Sequence, residues 1–175
     1  KSHRRRPSMN TNLTTLNASI LDSAADIIVM SANPSLLAGS GVSGVIHKAA
    51  GPDLERHTKP LGPLAVGQAI VTPAFEARAK YIVHAVCPRY YDGLRGESDQ
   101  LRQAYQSALS VCDKLTDVSS IAFVSMGTGV YKWPTELACN IAVSELMKSK
   151  LKNTLICLQD ELLLIEYQLE ISRHV

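Results

Sequence analysis

The sequence predicts an α/β domain whose largely parallel sheet is covered by helices on both faces. Short apolar runs rich in β-branched residues alternate with longer segments whose apolar residues recur at helical spacing. Two of the apolar runs lead into loops that contain several glycines. Strands that alternate with helices favour parallel pairing, because a parallel neighbour requires a long crossover connection. The chain has 175 residues and no internal repeat, which indicates a single domain.

The individual elements follow from local patterns. Residues 12–20 alternate threonine with apolar residues and predict a first strand at an edge of the sheet. A buried central strand begins at Asp26. A helix is predicted from Ser43 to about Arg56, with Ser43 near its N-cap and Gly51-Pro52 interrupting it. Further strands are predicted at residues 68–72, 81–86, 120–124 and 153–158, and further helices at 99–115, 135–151 and 161–171.

The loop after the central strand has the pattern of an anion cradle. It starts at Asn33-Pro34, contains Gly39, Gly41 and Gly44, and runs into the start of a helix. Glycines let the main chain approach a phosphate closely, and the N–H groups of a first helical turn favour negative charge. Residues 39–44 also fit G-x-G-x-x-G, but six residues separate them from the strand, and no carboxylate lies about 20 positions on. A nicotinamide-dependent oxidoreductase is therefore disfavoured.

Composition and charge exclude several classes of protein. With 46% hydrophobic residues and no apolar run of the ~18 residues that a membrane span needs, we expect a soluble, cytoplasmic protein. Residues 1–8 hold four of the basic side chains and are expected to be a basic arm or a cloning remnant. Without those four, 14 basic face 16 acidic residues in a single domain over residues 9–175, which disfavours nucleic acid as a partner. The cysteines lack metal-site spacing, so we expect reduced thiols and no metal.

Five sequence blocks, in order, resemble those of the macrodomain family. They are Ile28–Asn33 with the glycine loop, Ile46–Pro52, Val83–Pro88 and, as a second glycine loop, Ile121–Tyr131. The likeness runs from about Asn12 to the C-terminus. It implies a three-layer α/β/α fold with a mixed, largely parallel sheet. It also implies a monomer that needs no cofactor and that binds ADP-ribose, its esters or mono-ADP-ribosylated proteins.

The resemblance also implies the residues of the binding site. Asn33 falls on the asparagine that contacts the distal ribose, although on the sequence alone it could be a turn residue bonded to its own backbone. Trp133 either covers the distal ribose or caps the core. The family's diphosphate-binding main chain matches Gly39, Ser40, Gly41 and Val42, and its closing loop matches Ser125, Gly127, Thr128, Gly129, Val130 and Tyr131.

Two positions depart from the family pattern. Ser43 stands where many hydrolytic members carry aspartate, and serine without a partner cannot act as that base. Ala18, Ser19 and Ile20 stand where the family has Gly-Asp-Ile, with serine in place of the aspartate, so we expect adenine to be held more weakly or differently. His47 and His84 are expected to be packed and hydrogen-bonded.

The leading functional hypothesis is a bacterial-type ADP-ribosyl ester hydrolase. Its substrate would be O-acetyl-ADP-ribose, which it would deacetylate, or a mono-ADP-ribosyl ester of an acidic side chain, which it would remove in de-ADP-ribosylation. Asn33 and Ser43 are the catalytic candidates. The alternative is a reader module that binds ADP-ribose and cleaves nothing; Ser43 favours this reader, whereas Asn33 and the glycine loops are compatible with both.

Overall fold

The computed structural model describes residues 12–129 and 131–175. Over these residues, six strands form one sheet: Leu13–Leu16 (β1), Ile27–Ser31 (β2), Ala69–Pro73 (β3), Tyr81–Ala85 (β4), Ser120–Val124 (β5) and Asn153–Cys157 (β6). Their order across the sheet is β1-β6-β5-β2-β4-β3. Neighbours are parallel except for β3, which lies antiparallel to β4 at an edge. The predicted mixed, largely parallel sheet is confirmed.

Helices cover both faces of this sheet. In the described ranges they are Val42–Ala50 (α1), Pro52–Thr58 (α2), Glu97–Ser110 (α3), Thr135–Leu146 (α4) and Glu161–His174 (α5). Helices α1 and α2 pack on each other and on β2 and β3, whereas α3, α4 and α5 pack in sequence and reach β4 and β1. The result is the predicted three-layer α/β/α arrangement. None of these helices combines the length and apolar character needed to cross a membrane.

The apolar runs form strands because both sides of the sheet are covered. All four residues from Ile27 to Met30 in β2 are buried, and so are the four from Ile121 to Val124 in β5. A strand buried on both faces has no need of polar alternation, which explains the continuous apolar pattern of these segments. Strands β2 and β5 are also hydrogen-bonded neighbours. Their carboxyl ends therefore meet at one edge, and the two glycine loops that follow them lie side by side.

The N-terminal strand and the N-terminus of α1 differ from the sequence prediction. Strand β1 ends at Leu16, because Ser19 accepts a hydrogen bond from the Leu21 N–H and starts a short 3-10 helix at Ile20–Asp22. Helix α1 begins at Val42 with Gly41 at its N-cap position, so the prediction that Ser43 caps this helix is wrong. The predicted break at Gly51-Pro52 is confirmed, with Gly51 ending α1 at φ +86° and Pro52 starting α2.

Candidate functional site

A cavity of about 240 Å³ opens where β2 and β5 end. Its walls are the first glycine loop (residues 33–41, continuing into α1) and the second glycine loop (residues 125–129 and 131–133). Ser31 and Val124, the last residues of the two strands, form its floor and were missed by the sequence analysis, although strand-end position alone could have indicated them. Nine of the predicted site residues line this cavity: Asn33, Ser40, Gly41, Val42, Ser43, Ser125, Gly127, Gly129 and Tyr131.

Glycines in the first loop make room for the side chain of Asn33. A Cβ at Gly39 would collide with Nδ2 of Asn33, and a Cβ at Gly44 would collide with the carbonyl oxygen of Gly39. Within the described ranges, the Asn33 amide has no protein hydrogen-bond partner, so the turn-residue alternative, in which it bonds its own backbone, is not what this loop adopts. Only the Asn33 carbonyl closes the turn, by accepting from the Leu36 N–H at 2.9 Å. The amide is left available to the cavity.

The N-terminus of α1 faces the same cavity. Gly41 has φ +70°, a backbone conformation that suits glycine, and apart from its own chain neighbours no described residue has an atom within 4 Å of where its Cβ would be. The N–H groups of Ser40 and Gly41 donate to no protein group in the described ranges. The first N–H groups of any helix lack intrahelical acceptors and carry partial positive charge. This wall can therefore hold an anion through main-chain donors.

The second loop is anchored by tyrosines from two helices. Tyr105 of α3 and Tyr167 of α5 are both fully buried. The Met126 N–H donates to the Tyr105 hydroxyl at 3.1 Å, and the Ser125 and Tyr167 hydroxyls lie 2.7 Å apart. Thr128 then donates to the Ser125 hydroxyl at 2.9 Å. These bonds fix the main chain of the loop from behind and leave its outer side facing the cavity.

Trp133 supports the second loop from below and does not line the cavity. Its side chain is buried, and its indole N–H donates to the Pro88 carbonyl at 2.9 Å. The ring lies directly under Gly127, whose φ of +93° brings the main chain so close that a Cβ there would collide with the indole. The aromatic ring that does line the cavity belongs to Tyr131. Trp133 therefore has the position of a cap over the core, the second of the two alternatives from the sequence, and not that of a ring covering a ligand in the cavity.

The remaining predicted site residues lie outside the cavity lining. Gly39 and Thr128 adjoin it, each through a neighbour that lines it. Ser19 caps the 3-10 helix beside β5, and Ile20 is its first residue. Val130 lies outside the described residues.

The cavity lining holds few groups that could act as acid or base. Among its described residues there is no carboxylate, lysine or histidine. Ser43 is buried with its hydroxyl unpartnered. The Ser31 hydroxyl lies 2.8 Å from the Cys87 thiol, and burial raises the pKa of that thiol to about 12, so Cys87 stays protonated and is no nucleophile. In the described ranges, no cluster of three or more His, Cys, Asp or Glu side chains could hold a metal ion.

The two histidines lie close together, His47 on α1 and His84 on β4, with their ring centres 6.2 Å apart. His84 is buried and bonded through Nε2 to the Thr72 hydroxyl at 3.0 Å, as predicted. His47 is buried too, but neither of its ring nitrogens has a partner in the described structure, so the prediction of a hydrogen-bonded ring is wrong for it. Burial lowers the pKa of both imidazoles, to about 3 for His84. Both rings are therefore neutral near pH 7.

Comparison with known proteins places this geometry in context. A family model described as "Macro domain" matches residues 29–142. A macro domain-containing protein of Listeria monocytogenes is 39% identical over 140 residues, which cover 78% of this chain and 79% of that protein. The solved Oceanobacillus iheyensis macrodomain with ADP superposes with a TM-score of 0.83 at 29% identity, covering 91% of this chain and 90% of that one.

Other solved structures share the fold. The Trypanosoma brucei macrodomain in complex with ADP-ribose has a TM-score of 0.81 at 29% identity and covers 94% of this chain and 69% of that one. The Oceanobacillus protein has also been solved with a glycine replaced by valine and ADPR bound, with an aspartate replaced by alanine, and with an asparagine replaced by alanine.

Proposed function

The chain belongs to the macro domain family, and from this premise we propose that it binds ADP-ribose in the cavity between its two glycine loops and hydrolyses an ADP-ribosyl ester there. The ester is O-acetyl-ADP-ribose or the mono-ADP-ribosyl ester of an acidic side chain. Solved relatives from two organisms hold ADP-ribose or ADP. The cavity of this chain lies at the carboxyl ends of parallel strands, where ligands of α/β proteins bind.

One observation carries the proposal: two walls of main-chain N–H donors face each other across a cavity whose described lining has no charged side chain. In the described ranges the N–H groups of Gly127 and Gly129, like those of Ser40 and Gly41, donate to no protein group. A diphosphate suits such walls, because peptide N–H groups and a helix N-terminus hold phosphate oxygens without side chains. The 240 Å³ cavity is smaller than the ~300–1,000 Å³ typical of sites for drug-sized ligands. In this proposal it encloses the diphosphate and the distal ribose, and the adenosine end extends beyond it.

Individual residues then take distinct roles. The main chain of Gly39–Val42 and of the second loop, including Val130, holds the diphosphate, while the Asn33 amide contacts the distal ribose. In the Oceanobacillus protein the replaced asparagine, glycine and aspartate are seven and then three positions apart, which is the spacing of Asn33, Ser40 and Ser43. Its aspartate thus corresponds to Ser43 here, and its glycine to Ser40.

The cavity lacks a protein base, which shapes the proposed mechanism. A water held by Asn33 and a ligand phosphate oxygen attacks the ester carbonyl carbon. The bond from this carbon to the ribose oxygen breaks, and the phosphate passes the proton of the water to the ribose oxygen. The products are ADP-ribose and a carboxylic acid. Because the phosphate replaces a carboxylate as base, turnover should be slower than in relatives with aspartate at this position.

The same missing base favours a second candidate function, a reader that binds ADP-ribose and cleaves nothing. The buried Ser43 hydroxyl has no partner to activate it.

Calorimetric titration with ADP-ribose, AMP and NAD tests binding, and chromatography after incubation with O-acetyl-ADP-ribose or an ADP-ribosylated glutamyl peptide tests cleavage. We expect ADP-ribose to bind much more tightly than NAD, since the closed distal end leaves little room for nicotinamide. Equal or tighter NAD binding would contradict the proposal.

Ser43→Asp separates the enzyme from the reader. The substitution places a carboxylate at the position that holds aspartate in the relative, where burial will raise its pKa toward the range of a general base. We expect ester hydrolysis to rise by about tenfold or more, with unchanged ADP-ribose affinity. A Ser43→Asn variant is the matched control, because it has the same size without the charge. No gain over Ser43→Asn would favour the reader.

Several further properties remain predictions. Adenine is proposed to be held near Ser19 and Ile20, with Trp133 acting only through the loop above it. The cytoplasmic location and the monomeric state are likewise predictions, as is the division into a basic arm (residues 1–8) and one domain (residues 9–175).

A further inference from the structure

A second depression lies beside the cavity, next to the end where we place the distal ribose. Its volume is about 510 Å³. It shares Tyr131 with the cavity and is bordered by Pro34, the residue after Asn33. On its other side stands a surface loop, residues 89–96, whose Tyr90 N–H donates to the Tyr131 carbonyl at 3.0 Å. An acyl group on a hydroxyl of the distal ribose, unlike a nicotinamide on its anomeric carbon, would leave the cavity toward this groove.

The surface loop is held in one conformation by a buried carboxylate. Glu97 is 2% exposed, and its two oxygens accept hydrogen bonds from the N–H groups of Tyr91, Asp92, Gly93 and Arg95, at 2.7–3.1 Å. These bonds hold the pKa of Glu97 at about 2. The negative charge of the carboxylate is stabilised by four N–H dipoles of the loop itself. The loop is therefore a preorganised surface, although residues 91–96 are all exposed.

This surface presents two arginines to the groove. Arg95 stacks on Tyr91 at 4.6 Å and donates to Asp92 through Nε alone, so its two terminal nitrogens have no partner among the described residues. Arg89 lies 5.6 Å from the centre of the Tyr131 ring and has no ionic partner in the described ranges. The carboxylate of Asp92 is occupied by Arg95 and by the Leu94 N–H. Guanidinium groups with unused donors match carboxylates in charge and geometry.

We propose that this groove binds the acidic polypeptide segment that flanks an ADP-ribosylated glutamate or aspartate. The inference rests on the proposed ADP-ribose site and names its substrate class: a protein ester in preference to a free acetyl ester. Carboxylates in the segment next to the esterified side chain would pair with the unused donors of Arg89 and Arg95. The exposed Tyr91 and Leu94, at 60% and 88% exposure, offer apolar contact to the same segment.

The test compares ligands that differ only beyond the distal ribose. The probes are free ADP-ribose, a peptide of alternating Glu and Gly with one glutamate joined to ADP-ribose by a non-hydrolysable linkage, and the same peptide with glutamine at the flanking positions. We expect the acidic peptide to bind about five- to tenfold more tightly than free ADP-ribose, the gain of two exposed ion pairs. The glutamine peptide should gain less than twofold, and added salt should remove the advantage.

Two variants locate the effect. Arg89→Ser and Arg95→Ser should each remove about half of the advantage while changing the affinity for free ADP-ribose less than twofold. Arg78→Ser, an exposed arginine in the β3–β4 connection and remote from the groove, is the matched control and should change neither affinity.

The outcomes separate this inference from the proposed function. If the wild type fails to bind free ADP-ribose, both are wrong. If it binds free ADP-ribose but the acidic and glutamine peptides equally, only the groove proposal is wrong. The groove proposal would also be wrong if the acidic peptide bound no more tightly than free ADP-ribose while an oligomer of ADP-ribose did so through the same two arginines. The groove would then bind a phosphate polymer.

Discussion

The two glycine loops form opposite walls of one cavity, yet they are held in place in different ways. The first loop depends on missing side chains, since Gly39 and Gly44 let main chain and Asn33 approach at distances that a Cβ would forbid. The second depends on side chains beneath it: Tyr105 and Tyr167, from α3 and α5, bond to it, and Trp133, at the end of the loop itself, packs under Gly127. The first loop is tied to the rest of the fold as well, because the Thr58 hydroxyl and the Leu64 N–H donate to its Leu36 and Pro34 carbonyls. The groups nearest the cavity are nevertheless positioned by glycines in the first loop and by tyrosines of other helices in the second.

This difference affects how each wall responds to substitution. A change at Gly39 or Gly44 acts directly on the residues that face the ligand, because a Cβ at either position would meet the Asn33 amide or the Gly39 carbonyl. The second loop can be altered from a distance, through hydroxyl groups on α3 and α5 that never reach the cavity. Substitutions near and far from the cavity therefore test whether the two walls act together.

The largest loss of ADP-ribose affinity is expected from substitutions on the side of each loop that faces the cavity. In Gly41→Val and Gly129→Val the new side chain enters space where, apart from chain neighbours, the described structure has no atom within 4 Å of the Cβ position, which is where we place the diphosphate. A valine at position 41 would also have to adopt φ +70°, which costs about 1–3 kcal/mol for a residue other than glycine. We expect affinity for ADP-ribose to fall by at least about 100-fold, or 2.7 kcal/mol, with the fold retained, as measured by calorimetry and circular dichroism.

Ser40→Val is the matched control for these variants. Position 40 already carries a side chain, and a relative with valine at the corresponding spacing holds ADPR. Its affinity should fall much less. Full affinity in both folded glycine variants would show that the loops do not form the site.

The next effect concerns the contact between Gly39 and Asn33. We expect Asn33→Ala to reduce turnover by roughly 10- to 1,000-fold, more than it reduces binding, if the amide contacts the reacting ribose more strongly in the transition state. Gly39→Ala should have a similar effect, because its Cβ would push the amide aside. The double variant should be no worse than Asn33→Ala alone, since both changes remove the same contact. Additive losses would mean that Gly39 acts independently of Asn33.

Smaller effects are expected behind the second loop. Tyr105→Phe leaves the buried Met126 N–H without an acceptor, which should cost about 1–3 kcal/mol of unfolding free energy. It should also weaken ADP-ribose binding severalfold, because the loop loses its fixed position. Tyr81→Phe is the control: that hydroxyl bonds to Asp117 at the opposite end of the sheet. If Tyr105→Phe lowers stability but leaves affinity unchanged, the anchor serves only the fold.

The smallest effect is predicted for Ser43→Ala. Since Gly41 holds the N-cap position and the Ser43 hydroxyl is buried without a partner, removing the hydroxyl takes away no hydrogen bond. We expect the unfolding free energy to change by less than about 0.5 kcal/mol or to rise, unlike the ~1 kcal/mol loss of a true cap. Turnover should change little. Complete loss of activity in Ser43→Ala, with activity kept in Asn33→Ala, would make the serine catalytic and reverse the assigned roles.

The sequence indicated the local features of this molecule better than the distant ones. The β2 and β5 runs were recognisable because burial on both faces removes polar alternation, and Gly51-Pro52 marks a helix break by its own backbone chemistry. The cavity was predictable because glycine loops after neighbouring parallel strands converge. The anchoring of the second loop by Tyr105 and Tyr167 was not, since these residues are 62 positions apart and read only as apolar positions of two helices.

The errors have physical reasons as well. Ser43 was assigned to the N-cap because serine is common there, but the positive φ of Gly41 lets the helix begin one residue earlier, and the serine then falls on the buried side. Likewise, the strand predicted to Ile20 stops at Leu16, because Ser19 bonds the main chain of Leu21 in competition with the sheet.

The position of Trp133 gives the protein an internal optical reporter. The chain has one tryptophan, and its indole lies under Gly127 with its N–H directed to the Pro88 carbonyl. Emission excited at the indole band therefore arises from a single site, beneath the loop proposed to close on a diphosphate. A shift in its wavelength or quenching by iodide on adding ADP-ribose would follow that wall alone. The opposite wall would be silent in the same recording, so stopped-flow fluorescence would time the response of the second loop by itself.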